Sequence, residues 1–426
     1  MQWGLKVSKL NFEVKFSSIM SFLLVLGSLY YFKILSFIYS ALFSSGRTLL
    51  DASLEGNPVN KFSGSLIIIF TLFCLCYKKV AFKQSFWKKT WLMWLLPAFC
   101  FLSILWSVEP GYTFKRSVAI LAVFMFALHL SVFYKSIDLM LFIGYLIGAC
   151  AGVGLLLALI SPSSVFIEGG IRGGAFIGVL ADKNAGARAY AIGLTILFPY
   201  LMNKNKKAAF VMVPIFIALC LSQSASGIAL AGIGIMTVLF FTFYPYDKSS
   251  NRVHGQVLLS AIILFLIGLA LYFAKELAFY LLDRDSDLTD RKIIWQIIQP
   301  YVDQKAVLGY GFGAFWTSVS AQDFIDRWGF IGNAHNGFIE TKLDGGIVFL
   351  ILTTSLIVFA GIKSIFRIPF ESTARESSVS LAIIIMVLIA NTIGHVIPNY
   401  YALDFFILLL VMFISICFKG NKNASL

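Results

Sequence analysis

Charge is what this chain has least of. Asp, Glu, Lys and Arg make up 13% of its 426 residues, against 59% hydrophobic side chains and a mean hydropathy of +0.85. A soluble domain has no core large enough to bury that much apolar surface, so the composition points to a polytopic membrane protein. Cysteine is scarce as well. Cys74, Cys76, Cys100, Cys150, Cys220 and Cys417 all fall inside apolar runs, which excludes a disulfide framework or a zinc site and leaves them as small hydrophobes. There is no Walker A sequence, and "GYGFG" (309–313) lacks the βαβ surroundings of a dinucleotide fingerprint. No cofactor and no metal are expected. Acidic residues are outnumbered 34 to 21 by basic ones, giving a net charge of +13. The basic residues lie in short runs between apolar stretches, the distribution of a positive-inside membrane protein, so no nucleic-acid partner is expected.

Apolar stretches of spanning length predict about twelve helices, at 18–43, 63–77, 91–106, 117–134, 139–160, 185–202, 208–222, 227–244, 257–278, 344–362, 379–397 and 402–418. The first follows Lys6, Lys9 and Lys15 and is too long for a signal-peptide core, so it reads as a helix. The Lys and Arg excess places segments such as 78–89, 203–207 and 363–378, with both termini, in the cytoplasm. The outer side then receives a Gly-rich segment, 161–188, and the one sizeable non-membrane piece. The expected organisation is nine spans with short loops over 1–278, a large outer loop over 279–343, and three spans with a tail over 344–426. The outer loop is expected to carry part of the active site. Chemistry on that side, without a nucleotide, needs a donor already activated in the membrane.

Four outer stretches carry the candidates. "WSVEPGYTFKRS" (106–117) fits an interfacial turn with Trp106 as anchor and Lys115 and Arg116 as snorkelling cations, with Arg116 also a candidate substrate ligand. In "EGGIRGGAFIGVLADKNAGARAYAIG" (168–193) a Gly-rich loop opens a helix beside Arg172, Lys183, Asn184 and Arg188. Free N–H groups flanked by cations suit an anion. From Asp290 the pattern predicts an amphipathic helix, Arg291–Ile298, capped by Thr289 or Asp287. Its apolar side, with Trp295, would lie on the membrane and Arg291 would reach a lipid headgroup. The fourth is "GNAHNGFIETKLDGG" (332–346), where His335 sits beside Asn333, Asn336 and Gly337, and Glu340 or Asp344 is placed to orient it. Of the other histidines, His129 lies within a span, His254 in an inside loop, and His395 at the outer end of span eleven. Deep-lying charges are few, Lys33 and Asp404, and no internal repeat is visible, which argues against a transporter such as a lipid-linked glycan flippase.

Taken in order, "WSVEPGYTFKRS", "DKNAGARAYAIG" and "DRKIIW…GYGFGAFW…AHNGFIETKLDGGIVFL" resemble the bacterial O-antigen ligase / polysaccharide polymerase superfamily, including its ExoQ-like branch. The likeness covers roughly residues 45–400. It implies a GT-C-like, metal-independent glycosyltransferase of the bacterial inner membrane, working at the periplasmic face. The donor would be a glycan on undecaprenyl diphosphate. The acceptor would be a second glycan, for a polymerase, or lipid A–core, for a ligase. "GYGFGAFW" and "SQSASG" (222–227) tip the reading towards a polymerase. The resemblance further implies that Arg172 or Arg188, with Arg291, holds the diphosphate and that His335 serves the acceptor; Lys183, Asn184, Arg116, Asn336 and Glu340 are further candidate substrate ligands. Where many relatives have His or Pro before the Lys-Asn pair this chain has Asp182, whose role stays open.

Overall fold

A backbone crossing hydrocarbon must satisfy its own N–H and C=O groups, and the helix does so within one segment. The computed structural model describes residues 2–43, 58–167, 169, 173–180, 182–243, 255, 259, 262, 289–322, 325–326, 332–369 and 374–417. Among them no strand forms, apart from an isolated bridge between Phe166 and Phe176. The α-helices are α1 (Gln2–Tyr31), α2 (Ile34–Phe43), α3 (Pro58–Tyr77), α4 (Gln84–Leu102), α5 (Pro110–Phe133), α6 (Ser136–Ile160) and α7 (Lys183–Met202). They continue with α8 (Lys206–Leu221), α9 (Ala225–Phe243), α10 (Thr289–Gln304), α11 (Gly337–Ile365), α12 (Ala374–Thr392) and α13 (Leu403–Ile416). Eight described helices are long and apolar enough to cross a bilayer, so the chain is an all-α polytopic membrane protein.

Several boundaries differ from the hydropathy reading. The first predicted span is two helices, broken where Lys33 takes a left-handed conformation (φ 63°). Span ten begins at Gly337, seven residues before the expected 344, so the His335 stretch is a helix entrance. Span eleven stops at Thr392, which leaves His395 in a loop. The predicted span at 257–278, His254 and Asp287 lie outside the described residues. Thr289, expected as a cap, is the first residue of α10 itself.

α5 and α7 are the most enclosed of the spanning helices, and α13 is buried nearly throughout. An apolar sequence without a polar face suits that position. Stacked rings tie the centre together: Phe126 lies 5.2 Å from Phe406, Tyr31 lies 5.0 Å from Phe406, and Phe124 meets Phe413 edge-on at 5.0 Å. α7 packs against α6, α8, α9 and α12, while α13 lies against α5, α11 and α12. The starts of α5, α7, α9, α11 and α13 gather at one end of the bundle, where Val108 N–H bonds the Tyr310 carbonyl (3.0 Å), Ser224 Oγ donates to Asn184 (3.2 Å), Gly337 N–H bonds the Gly394 carbonyl (3.0 Å) and Arg188 meets Asp404. At the other end Ser136 Oγ donates to Glu376 (2.5 Å), Arg367 Nη1 to the Ile414 carbonyl (2.9 Å), and Ser364 pairs with Ser415 (2.8 Å).

A second, smaller core sits at the first end. Ile298, Val302, Tyr310, Phe315, Trp316 and Leu343 pack α10 and the 309–316 loop onto the start of α11. The apolar face of α10, expected on the membrane, is therefore spent inside the protein. "GYGFG" docks on a break in α11: Tyr310 N–H bonds the Leu343 carbonyl (2.7 Å), Gly311 N–H that of Asp344 (3.1 Å), and Ile347 N–H reaches the Ala306 carbonyl (2.8 Å). The break needs glycine. Gly346 has φ 63°, and a Cβ there would overlap the Val307 carbonyl oxygen. Gly346→Ala is expected to destabilise by at least about 2 kcal/mol, the left-handed penalty plus the overlap. Thermal melting in detergent checks this, and an unchanged midpoint would show that the break tolerates a side chain.

Candidate active site

Each candidate side chain at this end is aimed by a helix terminus. Pro110 opens α5, its missing N–H being no loss at that position. Arg116 follows two turns later, and Lys115 is drawn aside, its Nζ lying 5.1 Å over the Tyr112 ring. Asp182 caps α7 by accepting from Ala185 N–H (2.7 Å), which sets Lys183, Asn184 and Arg188 in the first turns. Asn336 caps α11 by accepting from Phe338 and Ile339 N–H (2.9 and 3.2 Å). Asp404 occupies the first turn of α13.

Arg188 and Asp404 form a salt bridge, Nε to Oδ2 at 2.5 Å, with their side chains 14% and 4% exposed. A carboxylate so enclosed needs a cation. Only Nε is used, so the two terminal nitrogens of Arg188 make no hydrogen bond among the described residues. Lys33 extends to the same end, its Nζ 4.7 Å over the ring of Tyr401. From the sequence, Lys33 and Asp404 looked like deep, isolated charges. They lie instead at a helix break and a helix start, both beside the loop that joins α12 to α13.

That loop, 393–402, is where the candidates converge. Arg291 Nη1 donates to the carbonyl of Ile393. Gly337 N–H, two residues past His335, donates to the carbonyl of Gly394 (3.0 Å). A Cβ on Gly394 would stand 3.5 Å from Arg188 Nη1. Asn391 shapes the loop by accepting from Val396 and Ile397 N–H (3.2 and 2.8 Å). Two arginines and the His335 turn are thus brought together on two successive residues, Ile393 and Gly394.

Arg116 approaches from α5. It is half-buried, lies under Gly313, whose Cβ would overlap its Cδ, and makes no hydrogen bond or ion pair among the described residues. Its charge acts on Glu340, Asp344 and His395. Gly313 (φ 68°) therefore keeps a place for a guanidinium. His335 is half-buried in a left-handed conformation (φ 50°), its N–H bonded to Asn333 Oδ1 (2.9 Å).

Other expected ligands are placed differently. Glu340 is 3% exposed and accepts from Trp316 Nε1 (2.9 Å) and Ala334 N–H (2.8 Å), so it faces the protein and not a cleft. Asp344 accepts from Gly313 N–H (2.7 Å). Asn184 accepts from Ser224 Oγ (3.2 Å), and Lys183 makes no hydrogen bond or ion pair among the described residues. Arg172 lies outside the described residues. The described part of its loop closes on itself through Ile167 N–H to Ala175 O (3.0 Å) and Gly174 N–H to Ile167 O (2.9 Å).

His395 was noted in the sequence only as a histidine on the right side. In the structure its Nε2 is shielded and makes no hydrogen bond among the described residues, and burial pushes its pKa down to about 4. The backbone at Pro398 and Asp404 oppose that shift, while Arg116 and Arg188 reinforce it. His395 is therefore neutral where an ordinary histidine, near 6.5, begins to charge. The unfolded chain takes up a proton as pH falls through 6.5 and the folded chain does not until about 4, so stability is lost over that interval. The melting midpoint is expected to fall more between about pH 7.5 and pH 5 than that of His395→Gln. Equal falls would show that His395 titrates normally.

A family model described as "O-Antigen ligase" matches residues 210–354, which include Arg291 and the His335 turn and leave out Arg116, Arg188 and the 393–402 loop. The chain is also 24% identical over 299 residues to the "Exopolysaccharide production protein ExoQ" of Rhizobium meliloti (strain 1021). That alignment spans 66% of this chain and 66% of the relative, a little under two thirds of its length. This multi-pass membrane protein is thus similar to O-antigen ligases over the segment that holds Arg291 and the His335 turn, and to an exopolysaccharide production protein over a longer stretch.

Proposed function

We propose that the protein is a glycosyltransferase that moves a glycan from undecaprenyl diphosphate to an acceptor hydroxyl at the periplasmic face of the inner membrane, extending a polysaccharide. The observation that carries this reading is the convergence of Arg188, Arg291 and the His335 turn on Ile393 and Gly394, with Arg116 close enough to act on His395. In the reaction the acceptor oxygen bonds to the anomeric carbon as the bond to the diphosphate oxygen breaks. The leaving group departs with that electron pair, and a neutral His335 takes the acceptor's proton. One direct displacement inverts the anomeric centre. Charge develops on the diphosphate oxygens, where fixed guanidinium groups stabilise it; removing one comparable donor typically costs about 2.7–4 kcal/mol. Guanidinium suits the task because its planar fork meets phosphate oxygens in pairs and stays charged. Among the described residues, neither the terminal nitrogens of Arg188 nor the guanidinium of Arg116 makes a hydrogen bond that would compete with this.

A second reading, ligation of a finished chain to lipid A–core, is favoured by the description of the matching family. Likeness to an exopolysaccharide production protein favours chain extension. The lipid-linked glycan pool of a host deleted for this chain separates them by mass. Single repeats on the carrier lipid mean a polymerase; full-length chains on the carrier mean a ligase. A pool that accumulates on the cytoplasmic leaflet removes both and favours a transporter, and a pool unchanged by the deletion removes all three.

A further inference from the structure

The Ala334–His335 peptide is held at both of its polar atoms. Its carbonyl oxygen accepts from Trp295 Nε1 (2.9 Å), and its N–H donates to Asn333 Oδ1 (2.9 Å). The preceding N–H, that of Ala334, is held by Glu340 Oε2 (2.8 Å), whose other oxygen is taken by Trp316 Nε1 (2.9 Å). Ala334 is 0% exposed, Trp316 1% and Glu340 3%, so water is not at hand to replace the two Glu340 bonds, while those of Trp295 and Asn333 are part-buried. A non-glycine residue in the left-handed region costs of order 1–3 kcal/mol unless its surroundings over-determine it. Here they do, and the direction of the His335 side chain is fixed by groups on two other helices.

Trp295 has a second connection. It stands four residues after Arg291 on α10, one turn along the same face and roughly 6 Å further along the axis. The helix that presents Arg291 to the 393–395 loop therefore also grips the backbone of His335. We infer that Trp295 and Glu340 are positioning residues of the transfer reaction, holding His335 at a fixed reach from Arg291. This inference rests on the role proposed above for His335. Neither side chain is needed to touch a substrate. Trp295, which by periodicity belonged to a membrane-facing side, and Glu340, a candidate substrate ligand, both acquire a role that acts through another residue.

The test is a double-substitution cycle on the purified full chain in lipid nanodiscs, with carrier-linked repeat units extracted from a host deleted for the chain as the probe. Trp295→Phe removes the N–H and keeps most of the ring. It is expected to lower turnover about 10- to 100-fold with the donor KM nearly unchanged, as for a small misplacement of a reacting group. In a His335→Ala background the same change is expected to add less than about twofold, because its effect passes through His335. Losses that multiply would show a general structural role and overturn the inference. Full turnover by Trp295→Phe, where His335→Ala is slow, would overturn it and leave the role of His335 standing. Full turnover by His335→Ala would instead remove that role, and the positioning function with it. Glu340→Gln, run through the same cycle, decides the matter should Trp295→Phe fail to accumulate in the membrane.

Discussion

His335→Ala is expected to reach the membrane at normal abundance and to lower glycan transfer by about 10²- to 10⁴-fold, the usual range for a lost general base. Expressed as a barrier, that is about 2.7–5.4 kcal/mol. The effect belongs in turnover. Donor binding is assigned to guanidinium groups that reach the 393–402 loop independently of the imidazole, Arg188 from α7 and Arg291 from α10. The donor KM is therefore expected to hold while kcat falls, the pattern of an interaction made only in the transition state. Abundance should be preserved because the turn around His335 is secured by backbone bonds. The Asn336 cap, the Gly337 bond to Gly394 and the two bonds to Ala334 do not involve the imidazole. Measuring initial rates with carrier-linked repeats at several donor concentrations separates the two parameters. A rise in KM with kcat unchanged would make His335 a binding group, and an unchanged rate would take it out of the chemistry.

How far the sequence anticipated this site depends on the kind of interaction involved. Hydropathy located the helices because burial in lipid acts on whole segments, and a run such as 402–418 leaves few alternatives. It misplaced boundaries where one backbone conformation decides them. Nothing in the hydropathy of "KLDGGIVFL" says that Gly346 takes φ 63° and receives another loop, so α11 appeared to start at 344 and not at Gly337. "GYGFG" was visible as a motif but not as a docking element, since its partners are backbone atoms of Leu343 and Asp344. The periodicity of α10 was real, yet an apolar face does not announce whether it meets lipid or protein; here Phe315, Trp316 and Leu343 cover it. Asp404 carried a usable signal. An acid at the start of an otherwise apolar run must find a cation, and Arg188 is such a cation on the same side. Ile393 and Gly394 carried none, because they act through carbonyl oxygens that every residue possesses.

The Arg188–Asp404 pair allows stability and activity to be separated. Removing one partner of an enclosed ion pair leaves an uncompensated charge and typically costs about 3–5 kcal/mol, whereas replacing both with apolar groups of similar size is often neutral. Asp404→Ala and Arg188→Met are each expected to lower the melting midpoint and the amount of protein in the membrane. The double variant, Arg188→Met with Asp404→Leu, is expected to recover most of that stability, since α7 and α13 meet within the main core and extra apolar volume there has neighbours. Activity should not recover with it. If Arg188 offers its terminal nitrogens to the diphosphate while Asp404 fixes Nε, the double variant is a folded protein with one anion ligand missing, slower by about 10²- to 10³-fold. Asp404→Asn completes the set: the hydrogen bond to Nε survives, the charge does not, and a loss smaller than that of Arg188→Met is expected. Melting curves and transfer rates on the same four preparations decide it. A double variant both stable and fully active would reduce the pair to a packing element and leave Arg116 and Arg291 to hold the leaving group. A stable, inactive one ties this guanidinium to the reaction itself.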